Sequence, residues 1–407
     1  MYDVLVLGGG LAGLHTAYRL HAHKSLKVCV LEKESYLGGR IQTVTMEGMN
    51  LEAGAGRFNQ THVHMLELVR TLGLASRQVE IPGGLTFVPS GTYDPAYVGR
   101  DPFDVLDPVL TKARRTGIRK LQSMAFVDFA RGVLSTKDLQ FVLDGFGYYE
   151  QLVHMNAYNA VKLFDQGMHS KNTFYTLQGG LSQVIDALQD RCGEVHTRQE
   201  VIQMRWVPYG EVPHFEVHVR GRKTPYYTKQ CVCALPKLAM EKIPFFTVLQ
   251  PQLDCVGIKT LCRMYAKFAP KDNWLQHIPK TTTNNGNRYV IPIDREKGLV
   301  MIAYTDSKYA RAWKAMPQRK VVNEVRANIQ KTFGFEIAVP TFFRAFYWET
   351  GTAFWKPNCD SRTLAKQMIR PIACMPLWVC GENFSESQGW MEGALETSWE
   401  VLHELKV

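Results

Sequence analysis

The sequence predicts an α/β protein with two domains. Its 407 residues are enough for two hydrophobic cores, and 45% hydrophobic with 21% charged residues is an ordinary composition that excludes disordered and fibrous proteins. The chain begins with an apolar β-like run, a glycine-rich turn and a helical pattern, whereas residues 238–370 are rich in strand-like runs. We therefore expect a Rossmann-like nucleotide-binding domain and a second, mixed α+β domain.

The glycine-rich turn lies between a predicted strand, Tyr2–Leu7, and a predicted helix, Leu14–His21. Gly8, Gly10 and Gly13 have the G-x-G-x-x-G spacing. In this motif the first glycine forms the tight turn, the second leaves room for a pyrophosphate, and the third allows close packing of helix on strand. The spacing alone is weak evidence, but here strand and helix flank it in the order that the motif requires.

An acidic residue follows at the distance expected for nucleotide binding. The next predicted strand, Lys27–Leu31, ends at Glu32, 19 residues after Gly13. A carboxylate there can accept hydrogen bonds from the ribose hydroxyls of an adenosine. Gly39 and Arg40 come shortly afterwards and form a second loop that can close over a phosphate. The N-terminus is therefore predicted to bind a dinucleotide.

With Gly39 and Arg40 after this acid, the chain resembles the flavin-containing amine oxidase family, whose members have G-G-R here and bind FAD rather than NAD. The resemblance implies an FAD-binding Rossmann-like domain of the GR2 type, in which the residue matching Val201 lies against the adenine. No Ser-Gly-Gly-Cys run precedes the C-terminal motif, so the covalent thioether of the monoamine oxidases is not expected. The implied cofactor is non-covalent FAD.

The C-terminal motif extends the resemblance to the end of the chain. A predicted strand at 377–383 reaches Gly381 and Glu382, and Gly389, Trp390 and Met391 then begin a G-[WY]-[MI]-x-G-A motif at a helix start. N–H groups at a helix start favour the negative charge that collects on a reduced flavin. In the family these residues contact the flavin, and Trp390 would form one wall of the substrate slot. Without the resemblance, an aromatic residue here is more often part of a core.

Arg57 is the candidate residue for substrate binding. It follows Gly56 in a glycine-rich loop, and a free guanidinium can bind a carboxylate through two parallel bonds. On spacing alone, two roles have about equal weight: binding of a substrate carboxylate, and a structural role in which the arginine pairs with Glu52 or with a flavin phosphate. L-amino acid oxidases have G-x-x-R here and bind the substrate carboxylate with that arginine, although they usually have methionine at the position of Gly56. The resemblance therefore favours the L-amino acid oxidase branch.

Lys259 is the candidate for the reaction with oxygen. From the residues alone, a surface lysine at the start of a strand is favoured. The family has a buried lysine at this place, eight residues before Lys267, and the resemblance implies that Lys259 holds a water at the reactive nitrogen of the flavin. The aromatic run Tyr347–Trp355 matches the family's aromatic residues beside the flavin.

The resemblance also divides the chain. We expect an FAD-binding domain from residues 1–80, 176–236 and 372–407. Residues 81–175 form a helical insertion, which in the family covers the funnel to the flavin, and residues 237–371 form a sheet-rich substrate domain.

The implied reaction is the oxidation of an L-amino acid. Arg57 would bind the carboxylate while hydride passes from Cα to flavin N5, O2 becomes H2O2, and the imine hydrolyses to a 2-oxo acid and ammonia. A polyamine or monoamine oxidase is an alternative function. In such an enzyme Glu386 or Glu392 would bind a second ammonium group of the substrate. An amino-acid monooxygenase and a non-catalytic flavin-binding interaction module are further alternatives.

Charge and cysteine content bear on partners and location. The net charge of +10 would suit nucleic acid or an acidic membrane, but the densest basic run, 112–120, is typical of a solvated helix face. No apolar run approaches about 18 residues, and the turn at Gly8 leaves no room for a signal peptide. We expect no nucleic-acid or membrane partner, and a homodimer is compatible with the sequence.

The nine cysteines are scattered, and the one close pair, Cys231 and Cys233, lies in an apolar strand typical of core packing. With no nearby Cys/His group we expect no metal site. A reducing, cytoplasmic location follows most simply.

Overall fold

The computed structural model describes residues 1–22 and 26–406. Its strands, in chain order, are β1 (Tyr2–Leu7), β2 (Val28–Leu31), β3 (Thr43–Met46), β4 (Met49–Glu52), β5 (Phe58–Asn59), β6 (Gln78–Ile81), β7 (Thr86–Phe87), β8 (Phe174–Leu177), β9 (Glu194–His196), β10 (Val201–Val207), β11 (His214–Val219), β12 (Tyr226–Cys233), β13 (Val256–Lys267), β14 (Thr281–Thr282), β15 (Tyr289–Asp294), β16 (Leu299–Asp306), β17 (Phe342–Trp355) and β18 (Leu377–Val379).

The α-helices are α1 (Leu11–His21), α2 (Val63–Thr71), α3 (Pro102–Arg114), α4 (Ile118–Gln122), α5 (Phe126–Arg131), α6 (Thr136–Gly145), α7 (Glu150–Val153), α8 (Ala157–Lys162), α9 (Ser182–Gln189), α10 (Lys237–Met240), α11 (Gln250–Asp254), α12 (Ser307–Ala315), α13 (Gln318–Phe333), α14 (Ser361–Ile369) and α15 (Met391–Glu404). A π-helical turn, Leu163–Met168, continues α8. Within the described ranges, no helix combines the length and the hydropathy that a membrane crossing requires.

The first sheet is built from three separate parts of the sequence. Its order is β10-β11-β12-β1-β2-β9, with β18 beside β12. The strands β18, β12, β1, β2 and β9 run parallel, whereas β10 and β11 continue the sheet antiparallel. The apolar run of β1 is buried on both faces because α1, α9 and α15 cover one face and residues 240–256 cover the other. The predicted α/β class is confirmed.

The second sheet forms the other half of the molecule. Its order is β17-β13-β16-β15-β14-β7, and its central strand β13 pairs antiparallel with β17 and with β16. The pairing of β13 with β17 shifts register between Lys259 and Leu261. Helices α12 and α13 pack on one face through Ala310, Trp313, Val321, Val325 and Ile329. Its other face is turned to a cavity between the sheets.

The segment between α3 and the π-turn is helical and has its own core, to which Phe103, Phe126, Phe141, Phe146 and Phe164 contribute. Two stretches of this segment each contain a break between two short helices, one between α4 and α5 and one between α7 and α8. The breaks meet each other, because Ala125 and Asn156 form a β-bridge. The Asn156 side chain then accepts the Asn159 N–H and caps α8.

A disulfide joins Cys255, just before β13, to Cys359, just before α14, with the Cα atoms 5.8 Å apart. No sequence pattern predicts this pair, because 104 positions separate the two residues. Disulfides persist mainly in oxidising compartments. The cysteines therefore no longer support the expectation of a cytoplasmic location.

Candidate active site

A cavity of about 1350 Å³ runs between the two sheets. It is larger than a typical small-molecule pocket and offers room for a dinucleotide and a substrate together. The lining includes these residues singled out in the sequence: Gly8, Gly10, Glu32, Gly39, Arg40, Gly56, Arg57, Val201, Lys259, Gly381, Glu382, Gly389, Trp390 and Met391. Gly13 does not line the cavity. A Cβ there would collide with the carbonyl oxygen of Gly8, so Gly13 sets the packing of α1 on β1.

The nucleotide end of the cavity is formed where β1 and β2 end. Gly8 has a φ of 105°, and a Cβ there would lie 2.9 Å from the Ala234 oxygen, so the turn requires glycine. Glu32 is buried, and its carboxylate accepts the N–H groups of Gly9 at 2.7 Å and Glu34 at 2.8 Å. These bonds hold the carboxylate at the cavity wall, where ribose hydroxyls can reach its remaining lone pairs.

The middle of the cavity is crossed by a charged network around Glu382. This buried carboxylate accepts hydrogen bonds from Arg40, from the Ala353 N–H at 3.2 Å and from the Gly389 N–H at 2.9 Å. Arg40 also donates to the Gly351 oxygen at 3.2 Å. The network joins the second glycine loop, β17 and the C-terminal motif. Sequence reasoning singled out Arg40 and Glu382 separately, but nothing local indicated that they form a pair.

The start of α15 faces the cavity. Trp390 is its N-cap residue and makes no capping hydrogen bond through its side chain, so the first N–H groups of the helix keep their capacity for a ligand. The Trp390 ring lies 4.7 Å from the His62 ring, centre to centre. A Cβ at Gly167 would lie 2.7 Å from Trp390 Nε1, which shows how closely the π-turn approaches.

Two acids proposed for a second ammonium do not line the cavity. Glu392 accepts the N–H groups of His64 and Met65, both at 3.0 Å, and so caps the start of α2. Glu386 accepts a hydrogen bond from Tyr158 and lies 3.9 Å from both Lys162 and Arg362. Both carboxylates have structural partners, and the expectation that they serve a substrate ammonium is wrong.

Arg57 lies over an aromatic wall. Its guanidinium carbon is 4.1 Å from the centre of the Phe174 ring and 5.9 Å from that of Trp390. No carboxylate of the described residues forms an ion pair with it. Glu52, the alternative partner, instead accepts the Leu181 N–H at 2.7 Å and the Thr43 hydroxyl at 3.0 Å. The guanidinium is therefore available to a ligand.

Lys259 lies inside β13 and is only 4% exposed, so the alternative of a surface lysine is wrong. Its Nζ is 5.3 Å from the centre of the Tyr148 ring. It too forms no ion pair within the described part of the chain. Residues from distant elements, Tyr148 among them, cover this face of β13, and a single sequence does not show that packing.

Sequence reasoning missed a group of tyrosines and cations that line the inner cavity: Tyr148, Tyr289, Tyr304, Arg263 and Lys280. Arg263 donates to the Tyr304 hydroxyl at 3.3 Å and to the backbone carbonyl oxygen of Glu52 at 3.1 Å. Burial alone would raise the pKa of Tyr304, but the charges of Arg263 and Lys259 outweigh it and lower that pKa. These residues come from distant elements and share no motif that could have indicated them.

One group of potential metal ligands lies outside this cavity. The adjacent strands β2 and β9 place ligand atoms of Cys29, Glu194 and His196 within 4.8 Å of one another. The imidazole of His196 contacts Glu194 at 2.9 Å and the Tyr226 hydroxyl at 2.9 Å. These protein contacts already satisfy the imidazole, so we assign no metal to this group.

The lining residues fit a bound flavin dinucleotide. The helices α1 and α15 both begin at the cavity, a Cβ at Gly10, Gly381 or Gly389 would meet only open space, and the buried Thr352 hydroxyl has no partner among the described residues. A nucleotide-binding turn that opens into a cavity with room for a substrate is typical of nucleotide-dependent oxidoreductases.

The chain belongs to the flavin containing amine oxidoreductase family, whose model matches residues 11–106 and 109–401. Its fold is that of putrescine oxidase: the wild-type enzyme bound to putrescine superposes with a TM-score of 0.78 over 100% of this chain and 99% of the other, at 16% sequence identity. A variant of the same enzyme, carrying the A394C mutation, gives a TM-score of 0.81. At such identities the likeness shows the fold alone.

Curated relatives match this chain over short stretches. Prenylcysteine oxidase 1 of Rattus norvegicus is 36% identical over 90 residues, which is 22% of this chain and 17% of that protein. Amine oxidase [flavin-containing] A of Bos taurus is 36% identical over 95 residues, 23% of this chain and 18% of that protein. The matched stretches span less than a fifth of either relative.

Proposed function

We propose that the protein is an FAD-dependent oxidase of L-amino acids, which converts them with O2 to 2-oxo acids, ammonia and H2O2. The observation that carries the proposal is Arg57, a guanidinium without a carboxylate partner that lies over Phe174 in the cavity. Amino acids and simple amines differ in the carboxylate that such a guanidinium binds. The described acids considered for a second ammonium, Glu386 and Glu392, lie outside the lining.

When bound, FAD supplies the hydride acceptor and its reoxidation by O2. Arg57 binds the α-carboxylate and so fixes the position of Cα and of the amine. The Trp390 ring forms one wall and excludes water on that side. Lys259, buried and without a carboxylate partner, holds a water where oxygen is reduced. Positioning and electrostatics are the contribution of the protein to the rate.

We further propose that the FAD is held without a covalent bond. Neither a cysteine nor a histidine occurs among the described residues that line the cavity. The contacts are then those of Gly8, Gly10, Glu32, Arg40 and Val201 at the nucleotide end and of Gly381, Glu382, Gly389 and Met391 at the flavin end. Acid denaturation of the yellow protein should release all of the flavin into the supernatant. A yellow pellet would contradict this part of the proposal.

The experiment that tests the function is an anaerobic titration of the flavin absorbance with the twenty amino acids and with the amines that match them after loss of the carboxylate. Bleaching by L-amino acids, much weaker bleaching by the matched amines, and release of peroxide in air are expected. Reduction without peroxide would indicate a monooxygenase. A flavin that none of these compounds bleaches would indicate a non-catalytic binding protein.

A polyamine or monoamine oxidase is the second candidate. It is favoured by the fold shared with putrescine oxidase and by the stretch similar to amine oxidase A. In the same titration, faster bleaching by putrescine or by an aromatic amine than by any amino acid would support this candidate. The group of Arg57, Lys259, Arg263 and Lys280 in the lining argues against it, because these cations would repel an ammonium group placed beside them.

A further inference from the structure

The part of the cavity lined by Tyr148, Tyr289 and Tyr304 also has four cationic side chains, more than one substrate carboxylate requires. Arg57, Lys259, Arg263 and Lys280 all line it. None of these four forms an ion pair with a carboxylate in the described part of the chain. Partly buried charges are costly unless an opposite charge accompanies them. A ligand with more than one negative charge would supply it.

Lys280 and Arg57 lie near the same aromatic ring. Its Nζ lies 5.8 Å from the centre of the Phe174 ring, the same ring that carries the Arg57 guanidinium at 4.1 Å. Burial and the charge of Arg57 both lower the pKa of Lys280. An anion placed between or beside the two side chains would offset this repulsion.

The chain fixes the position of Lys280 while leaving part of its ammonium free. The Lys280 carbonyl accepts the Thr86 N–H at 3.0 Å, which joins the residue to β7, and its Nζ donates to the Gly83 oxygen at 3.1 Å. An ammonium has three N–H donors, so two stay available to a ligand. By contrast, Arg263 already donates hydrogen bonds to the backbone carbonyl of Glu52 and to the Tyr304 hydroxyl.

We propose that Lys280 binds the side-chain carboxylate of an acidic L-amino acid whose α-carboxylate is bound by Arg57, so that the substrate class is the α-amino dicarboxylates. This inference rests on the proposed function, which assigns Arg57 to the α-carboxylate. If the two cations instead bind a single carboxylate, neutral amino acids are bound and oxidised as well as acidic ones. The two arrangements differ in the preference between an acid and its amide.

The first test compares L-glutamate with L-glutamine and L-aspartate with L-asparagine in anaerobic flavin reduction. Each amide has nearly the shape of its acid but lacks the charge. The acids should be preferred in kcat/KM by about tenfold or more, because the second carboxylate is bound in a partly desolvated site. Equal values for an acid and its amide would overturn the inference while leaving amino-acid oxidation intact. Reduction by amines but by no amino acid would overturn the proposed function itself.

Variants of Lys280 test whether this residue binds the side-chain carboxylate. Lys280→Met should abolish the preference for acids with little change for L-glutamine, and Lys280→Glu should shift the preference towards L-lysine and L-ornithine. Lys280→Arg should restore much of the preference for acids. The control is Lys271→Met, since Lys271 is exposed in the segment between β13 and β14. A preference for acids that survives in Lys280→Met would overturn the assignment.

A binding measurement without turnover completes the test. Glutarate and succinate carry two carboxylates and no amine, whereas butyrate carries one. Calorimetry should show tighter binding of glutarate than of butyrate to the holoenzyme, and Lys280→Met should remove most of this difference. Butyrate binding as tight as that of either dicarboxylate would contradict the inference.

Discussion

The carboxylate of Glu382 accepts a hydrogen bond from the guanidinium of Arg40, although 342 positions separate the two residues. Glu382 is buried, whereas the Arg40 side chain is 31% exposed. The pair joins the second glycine loop to the strand end that precedes the C-terminal motif. Because both residues also line the cavity, the same contact that closes the fold shapes the flavin end of the site.

Breaking this pair should lower both stability and flavin content. Arg40→Met leaves a buried carboxylate without its charged partner, and such changes cost roughly 3 kcal/mol of unfolding free energy. Glu382→Gln should cost less because the amide oxygen can still accept hydrogen bonds from Arg40 and Ala353. Urea unfolding and the flavin-to-protein absorbance ratio measure the two effects.

The control is Asp165→Asn, which breaks the exposed contact of Asp165 with Arg114 and should cost no more than about 1 kcal/mol. Equal losses in Arg40→Met and in this control would mean that the buried pair has no special role.

Replacing Arg57 should affect amino acids and amines differently. Arg57→Met removes the partner of the α-carboxylate, so kcat/KM for amino acids should fall by about 100-fold, with most of the loss in KM. Matched amines, which lack the carboxylate, should lose little or gain. Arg70→Met, which changes an exposed arginine at the end of α2, is the control. Equal losses for both classes of substrate would refute a carboxylate-binding role.

Replacing Lys259 should separate the two half-reactions. Lys259→Met keeps the length of the side chain but removes the ammonium that holds a water near the flavin. Reduction by substrate should be nearly unchanged, whereas reaction of the reduced enzyme with O2 should slow by about tenfold or more. Stopped-flow absorbance measures each step separately. Burial raises the pKa of Asp306 and the charge of Lys259 opposes that rise, so Lys259→Met should also cost some stability. A reaction with O2 as fast as in the unmodified enzyme would contradict the proposed role.

Much of the nucleotide half could be predicted because its signals are local. The run before Gly8, the glycine spacing and the acid at Glu32 each depend on neighbours a few residues apart, and β1 has the bounds that the sequence predicts. The first sheet itself is assembled from distant segments, and only the resemblance to a family indicated that residues 1–80, 176–236 and 372–407 belong together.

The rest of the site depends on contacts that no local pattern contains. Lys280, which directly precedes β14, lies beside Phe174 of β8, more than 100 positions earlier in the chain. Arg263 and Tyr304 lie opposite each other because β13 and β16 pair in that register. A polar residue in a strand is compatible with either face and with either a surface or a cavity. Therefore the sequence did not distinguish these residues from ordinary surface residues.

Acid should destabilise the protein through two buried histidines. Burial lowers the pKa of His15 and of His62 to about 3. Between about pH 6.5 and that value, the unfolded chain binds protons that the folded chain does not, so the unfolding free energy falls as the pH falls, by up to about 1.4 kcal/mol per pH unit and histidine. Urea unfolding between pH 7.5 and 4.5 measures this slope.

His62→Gln should make the slope shallower, whereas His277→Gln, at an exposed position, should not. A slope unchanged in His62→Gln would show that this histidine does not titrate in the unfolding transition.

The disulfide between Cys255 and Cys359 makes a prediction about both stability and location. It ties the start of β13, which carries Lys259, to the segment before α14, and it closes a loop of 104 positions. Reduction or Cys359→Ser should therefore lower the unfolding free energy by about 2–4 kcal/mol. Cys374→Ser is the control, because that cysteine is exposed and free. Thiol titration of the denatured, unreduced protein should find seven of the nine cysteines free. Nine free thiols in protein purified from its natural source would show instead that the bond does not form there, and would restore the argument for a reducing compartment.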